Sequence, residues 1–134
     1  LEQELNSVIV YEDVRKVLEE LRKDFRIFLI SNLASPYKKP VFTNELDTYF
    51  ERMIFSSDYG FLKPNKEIFK EIEILTNNKP NEILMVGDSF KSDILGAKNM
   101  GWHYLRIKRI GNLTANHEIR DLYELEKLIS KPKL

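Results

Sequence analysis

A chain of 134 residues with 21 Lys and Arg against 21 Asp and Glu, 43% hydrophobic residues and no cysteine reads as one soluble globular domain. Its zero net charge disfavours a sequence-independent binder of nucleic acid or of a membrane surface. The missing cysteines exclude disulfides, a thiolate nucleophile and cysteine-ligated zinc or iron–sulfur sites. Apolar runs such as Ile27–Ile30 fall far short of the ~20 residues a membrane-spanning helix needs, and no leader precedes them, so the expected address is cytoplasmic. The chain starts at Leu1 rather than at a methionine, which suggests a processed start or a part of something longer.

Val14, Val17, Leu18 and Leu21 stand at i, i+3, i+4 and i+7 and predict an amphipathic helix over about 12–24. Arg26–Ile30 is a continuous apolar strand ended by Ser31-Asn32. Past a loop with Pro36 and Pro40, Leu46, Tyr49 and Phe50 predict a short helix, and Met53–Phe55 a second strand ending at Ser56-Ser57. Gly60 and Pro64 bracket a turn. Asn65 can cap a helix that buries Ile68, Phe69, Ile72 and Leu75. Ile83–Val86 is a third strand, closed by Gly87-Asp88. A helix over about 92–100 stops at Gly101, and a fourth strand covers His103–Ile107. A last helix presents Ile119, Leu122, Leu125, Leu128 and Ile129 on one side and stops at Pro132. Four strands alternating with five helical segments predict an α/β fold, a doubly wound parallel sheet whose ligands bind at the carboxyl ends of the strands.

Those strand ends carry the candidate chemistry. Gly87 lets a ligand or a neighbouring backbone approach closely. Asp88 and Asp93, five residues apart, form a hard-oxygen pair suited to Mg²⁺. The same pattern also fits a plain helix start, with Asp88 as cap and Asp93 in the first turn against the positive end of the dipole; spacing alone leaves the two readings even. Ser31 and Asn32 offer a hydroxyl and an amide that can bond phosphate oxygens, though both are common turn formers. Lys63, held extended by Pro64, can neutralise a phosphoryl group or be a solvated surface charge. His103 and His117 have no acidic or nucleophilic partner at useful spacing and read as structural.

Together, Ser31-Asn32, Lys63-Pro64 with Phe69 in the next helix, and Gly87-Asp88-Ser89 with Asp93, followed by Gly96-Ala97 and Gly101, resemble motifs two, three and four of the haloacid dehalogenase-like (HAD) hydrolases. The resemblance runs from about Val8 to Leu128 and is to the phosphoglycolate phosphatase type. It implies a HAD-like Rossmannoid core and Mg²⁺-dependent transfer of a phosphoryl group from a small phosphorylated metabolite to an aspartate and then to water. Ser31 would then bond a phosphoryl oxygen and Asn32 shape the pocket. Lys63 would offset charge on the transferred group, Asp88 would hold Mg²⁺, and Asp93 would support the metal through water or orient Lys63.

The family's first motif, Asp-x-Asp at the end of an N-terminal strand, supplies the nucleophile, and no two aspartates in this chain stand two residues apart. The expectation is therefore a partial core over residues 1–134, missing its first motif strand, with residues 1–10 at most the tail of a cap. Such a chain is the C-terminal portion of a phosphatase, inactive alone, with the missing N-terminal segment as a candidate partner on a separate chain. The competing expectations are a non-catalytic phosphate- and metal-binding or assembly module and, within the superfamily, a haloacid dehalogenase. Neither nucleic acid nor membrane is an expected partner.

Overall fold

The computed structural model describes residues 12–31, 46–55 and 66–129. The expected caps and turns at Pro36, Pro40, Ser56-Ser57, Gly60, Pro64, Asn65 and Pro132, and the cap remnant at 1–10, lie outside those residues. The chain divides into two compact units, Leu1–Gly60 and Phe61–Leu134.

In the first unit, α1 (Glu12–Leu21) is the helix expected from the valine and leucine spacing, and it buries Val17 completely. Strands β1 (Phe28–Ser31) and β2 (Arg52–Phe55) pair in parallel, with Phe28 opposite Arg52 and Ser31 opposite Phe55. A single 3₁₀ turn, Leu46–Tyr49, precedes β2. Parallel neighbours need a crossover, and their amino ends are tied by a two-pronged ion pair: Arg26 Nε donates to Glu51 Oε1 at 3.0 Å and Nη2 to Oε2 at 2.6 Å. The bond pushes the Arg26 pKa up and the Glu51 pKa down, each through the hydrogen bond first. Arg26 also lies over the Phe28 ring, and Arg22 over Tyr49, each at 5.3 Å from the ring centre.

The second unit holds α2 (Lys66–Thr76) and a three-stranded parallel sheet of β3 (Leu84–Gly87), β4 (His103–Ile107) and β5 (Glu118–Ile119), in that order. It also contains α3 (Leu95–Met100) and α4 (Leu122–Ile129). The apolar stripe of α2 puts Ile68, Phe69 and Ile72 in the core. Phe69 fixes the approach of α3: a Cβ on Gly96 would lie 2.5 Å from Phe69 Cε2, so only glycine lets the ring and the helix backbone meet. Phe69 also meets Trp102 edge to face at 5.2 Å, while the Trp102 indole N–H donates to Glu73 at 2.8 Å, a polar partner for a ring that is otherwise buried. Gly101, at φ 79°, ends α3 as expected, with its N–H returning to the Ala97 and Lys98 carbonyls.

Two departures from expectation shape this unit. Ile119 belongs to β5, not to the last helix. The Asp121 carboxylate accepts the Glu124 N–H at 3.0 Å while Glu124 accepts the Arg120 N–H at 2.7 Å, so α4 starts at Leu122. Glu118 and Ile119 are thereby left to pair with Arg106 and Ile107, which makes five strands rather than four among the described residues. The second difference is the start of the helix expected over about 92–100: the segment Phe90–Ile94 winds as one π turn before α3 begins. No helix among the described residues is long and apolar enough to cross a membrane.

Gly96→Ala is expected to lower stability by about 1–3 kcal/mol through overpacking against Phe69. Urea denaturation of this variant alone and combined with Phe69→Leu checks the cause, because the smaller partner should recover part of the loss.

Candidate metal and phosphate site

Strand β3 is short and ends at Gly87, so the chain leaves the sheet at Asp88 and turns at once into the π turn. The π geometry is visible in its bonds: Ile94 N–H donates to Ser89 O at 3.2 Å, five residues back, alongside the ordinary Asp93 N–H to Ser89 O at 3.0 Å. Ser89 caps this turn, since its hydroxyl accepts the Ser92 N–H at 3.1 Å from an extended backbone. The capping reading that gave this role to Asp88 is therefore corrected. Ser89 satisfies the turn, and the Asp88 carboxylate is left exposed, with no side chain among the described residues paired to it.

Asp93 is the opposite case. It is 4% exposed, and its Oδ2 accepts the Ser89 N–H at 3.2 Å. Its carboxylate rests against the face of Gly87, where an added Cβ would come within 2.6 Å of Asp93 Cβ and closer still to the carboxylate oxygen. The close approach that Gly87 permits is thus made by a carboxylate of the following turn. A buried acid and an exposed acid are held by one tight turn at the end of a parallel strand. Two hard oxygen donors, with no group of three His, Asp or Glu to join them among the described residues, fit a cation such as Mg²⁺ that completes its shell with water and ligand oxygens. They do not fit a tetrahedral nitrogen or sulfur site.

Ser31 is the last residue of β1, in the other unit. Asn32 and Lys63 lie outside the described residues. The two histidines are held by packing, His103 through Nε2 at 3.0 Å from the Asn81 carbonyl oxygen and His117 edge-on to Tyr104.

Sequence reasoning did not single out Arg106 and Glu118. Arg106 Nε donates to the main-chain oxygen of Asp88 at 3.1 Å, and its Nη1 lies 3.4 Å from Glu118 Oε2. Glu118 is buried, and its Oε1 accepts the Thr114 N–H at 2.7 Å, the Ala115 N–H at 3.0 Å and the Thr114 hydroxyl at 3.2 Å. These bonds, the Thr114 N–H foremost, hold the Glu118 pKa down to about 2, against the opposing effect of burial. A charged pattern in a strand of His-Tyr-Leu-Arg-Ile gave no signal, because the link depends on which residue of β5 faces Arg106.

The protein-family model of the haloacid dehalogenase-like hydrolases matches residues 2–101. Over 89 residues the chain is 40% identical to the glyceraldehyde 3-phosphate phosphatase of Pyrococcus furiosus, covering 65% of this chain and 37% of that protein. It is 30% identical over 98 residues to the N-acylneuraminate-9-phosphatase of Mus musculus, covering 72% of this chain and 40% of that one. Among solved structures, a HAD phosphatase from Thermococcus onnurineus superposes with a TM-score of 0.86 at 33% identity, over 97% of this chain and 62% of the other. The chain thus spans less than two thirds of each of these proteins.

Two outcomes are expected from this geometry. Gly87→Ala should displace the Asp93 carboxylate and cost about 1–3 kcal/mol, read by urea denaturation. Because the folded pKa of Glu118 is depressed from 4.5 to about 2, its stabilisation is complete above about pH 4.5 and is lost as pH falls toward 2. The urea midpoint should fall through that window, and the Glu118→Gln variant, less stable at neutral pH, should show a flatter profile.

Proposed function

Because the chain belongs to the haloacid dehalogenase-like hydrolases, we propose that it is the C-terminal portion of a Mg²⁺-dependent phosphatase acting on a small phosphomonoester. The observation that carries the reading is the turn after β3, where Ser89 takes over the capping and Asp88 is left exposed just ahead of the turn that buries Asp93. Had Asp88 been the cap, its oxygens would already be committed to the backbone. Relatives named for hydrolysing glyceraldehyde 3-phosphate and N-acylneuraminate 9-phosphate support a phosphorylated small metabolite as substrate class.

In this reading Asp88 holds Mg²⁺ directly, and Asp93 supports it through water or by orienting Lys63. When bound, Mg²⁺ supplies positive charge against the phosphoryl oxygens. Lys63 offsets charge on the transferred group, the Ser31 hydroxyl donates to a phosphoryl oxygen, and Asn32 shapes the pocket beside it, which is stabilisation by positioned charge and hydrogen bonds. The aspartate that accepts the phosphoryl group is not in these 134 residues, since no Asp-x-Asp occurs in them. It comes from an N-terminal segment, on the same longer chain or on a partner chain, and the partner is otherwise the metabolite itself. The neutral overall charge suits a cytoplasmic enzyme whose phosphate is handled locally.

The same absence of Asp-x-Asp favours a second reading, a non-catalytic module that keeps the metal and phosphate groups for binding or assembly. One experiment separates them. The 134-residue chain is expected to release no phosphate from an aryl phosphate in Mg²⁺. Adding a segment that bears a strand ending in Asp-x-Asp should restore release, which EDTA and Asp88→Asn should each reduce at least about 100-fold. Restored activity that survives EDTA would overturn the metal role. Activity of the chain alone, lost in Asp88→Asn, would overturn the reading as a portion, and silence in both arms would leave the binding module.

A further inference from the structure

Three residues stand abreast across the second sheet: Gly87 on β3 faces Arg106 on β4, and Arg106 faces Glu118 on β5. Directly paired residues of neighbouring strands project to one face, so Arg106 and Glu118 share the side on which the Asp93 carboxylate covers Gly87. Along this row the bonding is directional. Glu118 Oε1 is fixed by two backbone N–H groups and a hydroxyl, which leaves Oε2 facing Arg106. The Arg106 guanidinium uses one nitrogen on that carboxylate and another on the main-chain oxygen of Asp88.

We infer that Arg106 is a positioning residue for the cation-binding turn: anchored by Glu118, it holds the Asp88 peptide so that the carboxylate one side-chain length away keeps its aim. Glu118 thereby influences the turn without touching it. The inference rests on the Mg²⁺ reading of Asp88 for its consequence in affinity, but not for the link itself. The planar fork matters more than the charge, because a guanidinium reaches two acceptors in fixed directions while a lysine ammonium cannot hold both. The two causes also predict opposite signs. As a mere neighbouring positive charge, Arg106 repels a cation, and removing it should tighten binding. As a strut, its removal loosens binding.

The test uses the chain labelled with ¹³C and ¹⁵N, as wild type, Arg106→Gln, Arg106→Lys, Glu118→Gln and the Arg106→Gln/Glu118→Gln double variant. Without metal, Arg106→Gln and Arg106→Lys should both move the carbonyl ¹³C resonance of Asp88, and Glu118→Gln should move it in the same direction by less. On titration with MgCl₂, the Kd should rise about tenfold in either Arg106 variant, as for other outer partners of metal ligands. Glu118→Gln should add nothing once Arg106 is gone, as expected of two residues on one path. An unmoved Asp88 resonance, a Kd that falls or stays within about twofold, or additive effects would overturn the inference. If the wild type takes up no Mg²⁺, the metal reading fails, and the carbonyl resonance alone decides: movement in Glu118→Gln supports the link, and none overturns it. Amide dispersion identifies any variant that has failed to fold, and Arg106→Lys then stands in for Arg106→Gln.

Discussion

A single close contact organises the second unit: the Asp93 carboxylate lying on the bare face of Gly87 while accepting the Ser89 N–H. A buried carboxylate is costly unless its oxygens are hydrogen-bonded, and it can be buried here only because the strand it covers ends in a residue without a side chain. The contact requires the chain to double back immediately after β3. The π turn achieves this by placing one extra residue in the first coil and carrying Asp93 back over the strand it has just left. The close meeting of α3 with Phe69 at Gly96 depends on where that turn delivers the helix. So Gly87, Ser89, Asp93 and Gly96 act as one unit in shaping the end of β3.

The consequence for chemistry is a division of labour between two acids five residues apart. Asp93 is buried and bonded to the Ser89 N–H, whereas among the described residues Asp88 has its peptide oxygen held by Arg106 and its side chain exposed. A pair of this kind is asymmetric from the start. One carboxylate is fixed by the fold and the other is exposed, and the proposed metal role rests on that difference.

Much of this was legible in the residues. The valines and leucines of α1, the stripe of α2 and the apolar strand before Gly87 are periodic signals generated by burial, and burial is what the structure shows at Val17, Ile68, Phe69 and Ile72. The glycine stop at Gly101 was equally plain, since a left-handed residue there has few alternatives. What was not legible depended on contacts between distant positions. Ile119 has the spacing of a helix face, yet the local Asp121 and Glu124 cap, a signal present in the sequence, starts the helix later. A two-residue strand such as Glu118–Ile119 is too short to show a period at all. The π turn has no compositional mark, and the Arg106 link exists only through the register of β4 against β5. For the site, Asp88 and Asp93 could be picked out from their spacing, while whether Asp88 caps the turn waited on which hydroxyl or carboxylate met the Ser92 N–H.

The ion pair between Arg26 and Glu51 sits at the amino ends of β1 and β2, whereas Ser31 stands at the carboxyl end of the same strands. If Ser31 has the role proposed for it, the two edges of one small sheet serve separate purposes: fastening at one, phosphate contact at the other. An engineer seeking tolerance to heat or brine could rewrite the fastening edge, exchanging its charges or replacing them with apolar contacts, and leave the edge that carries Ser31 untouched.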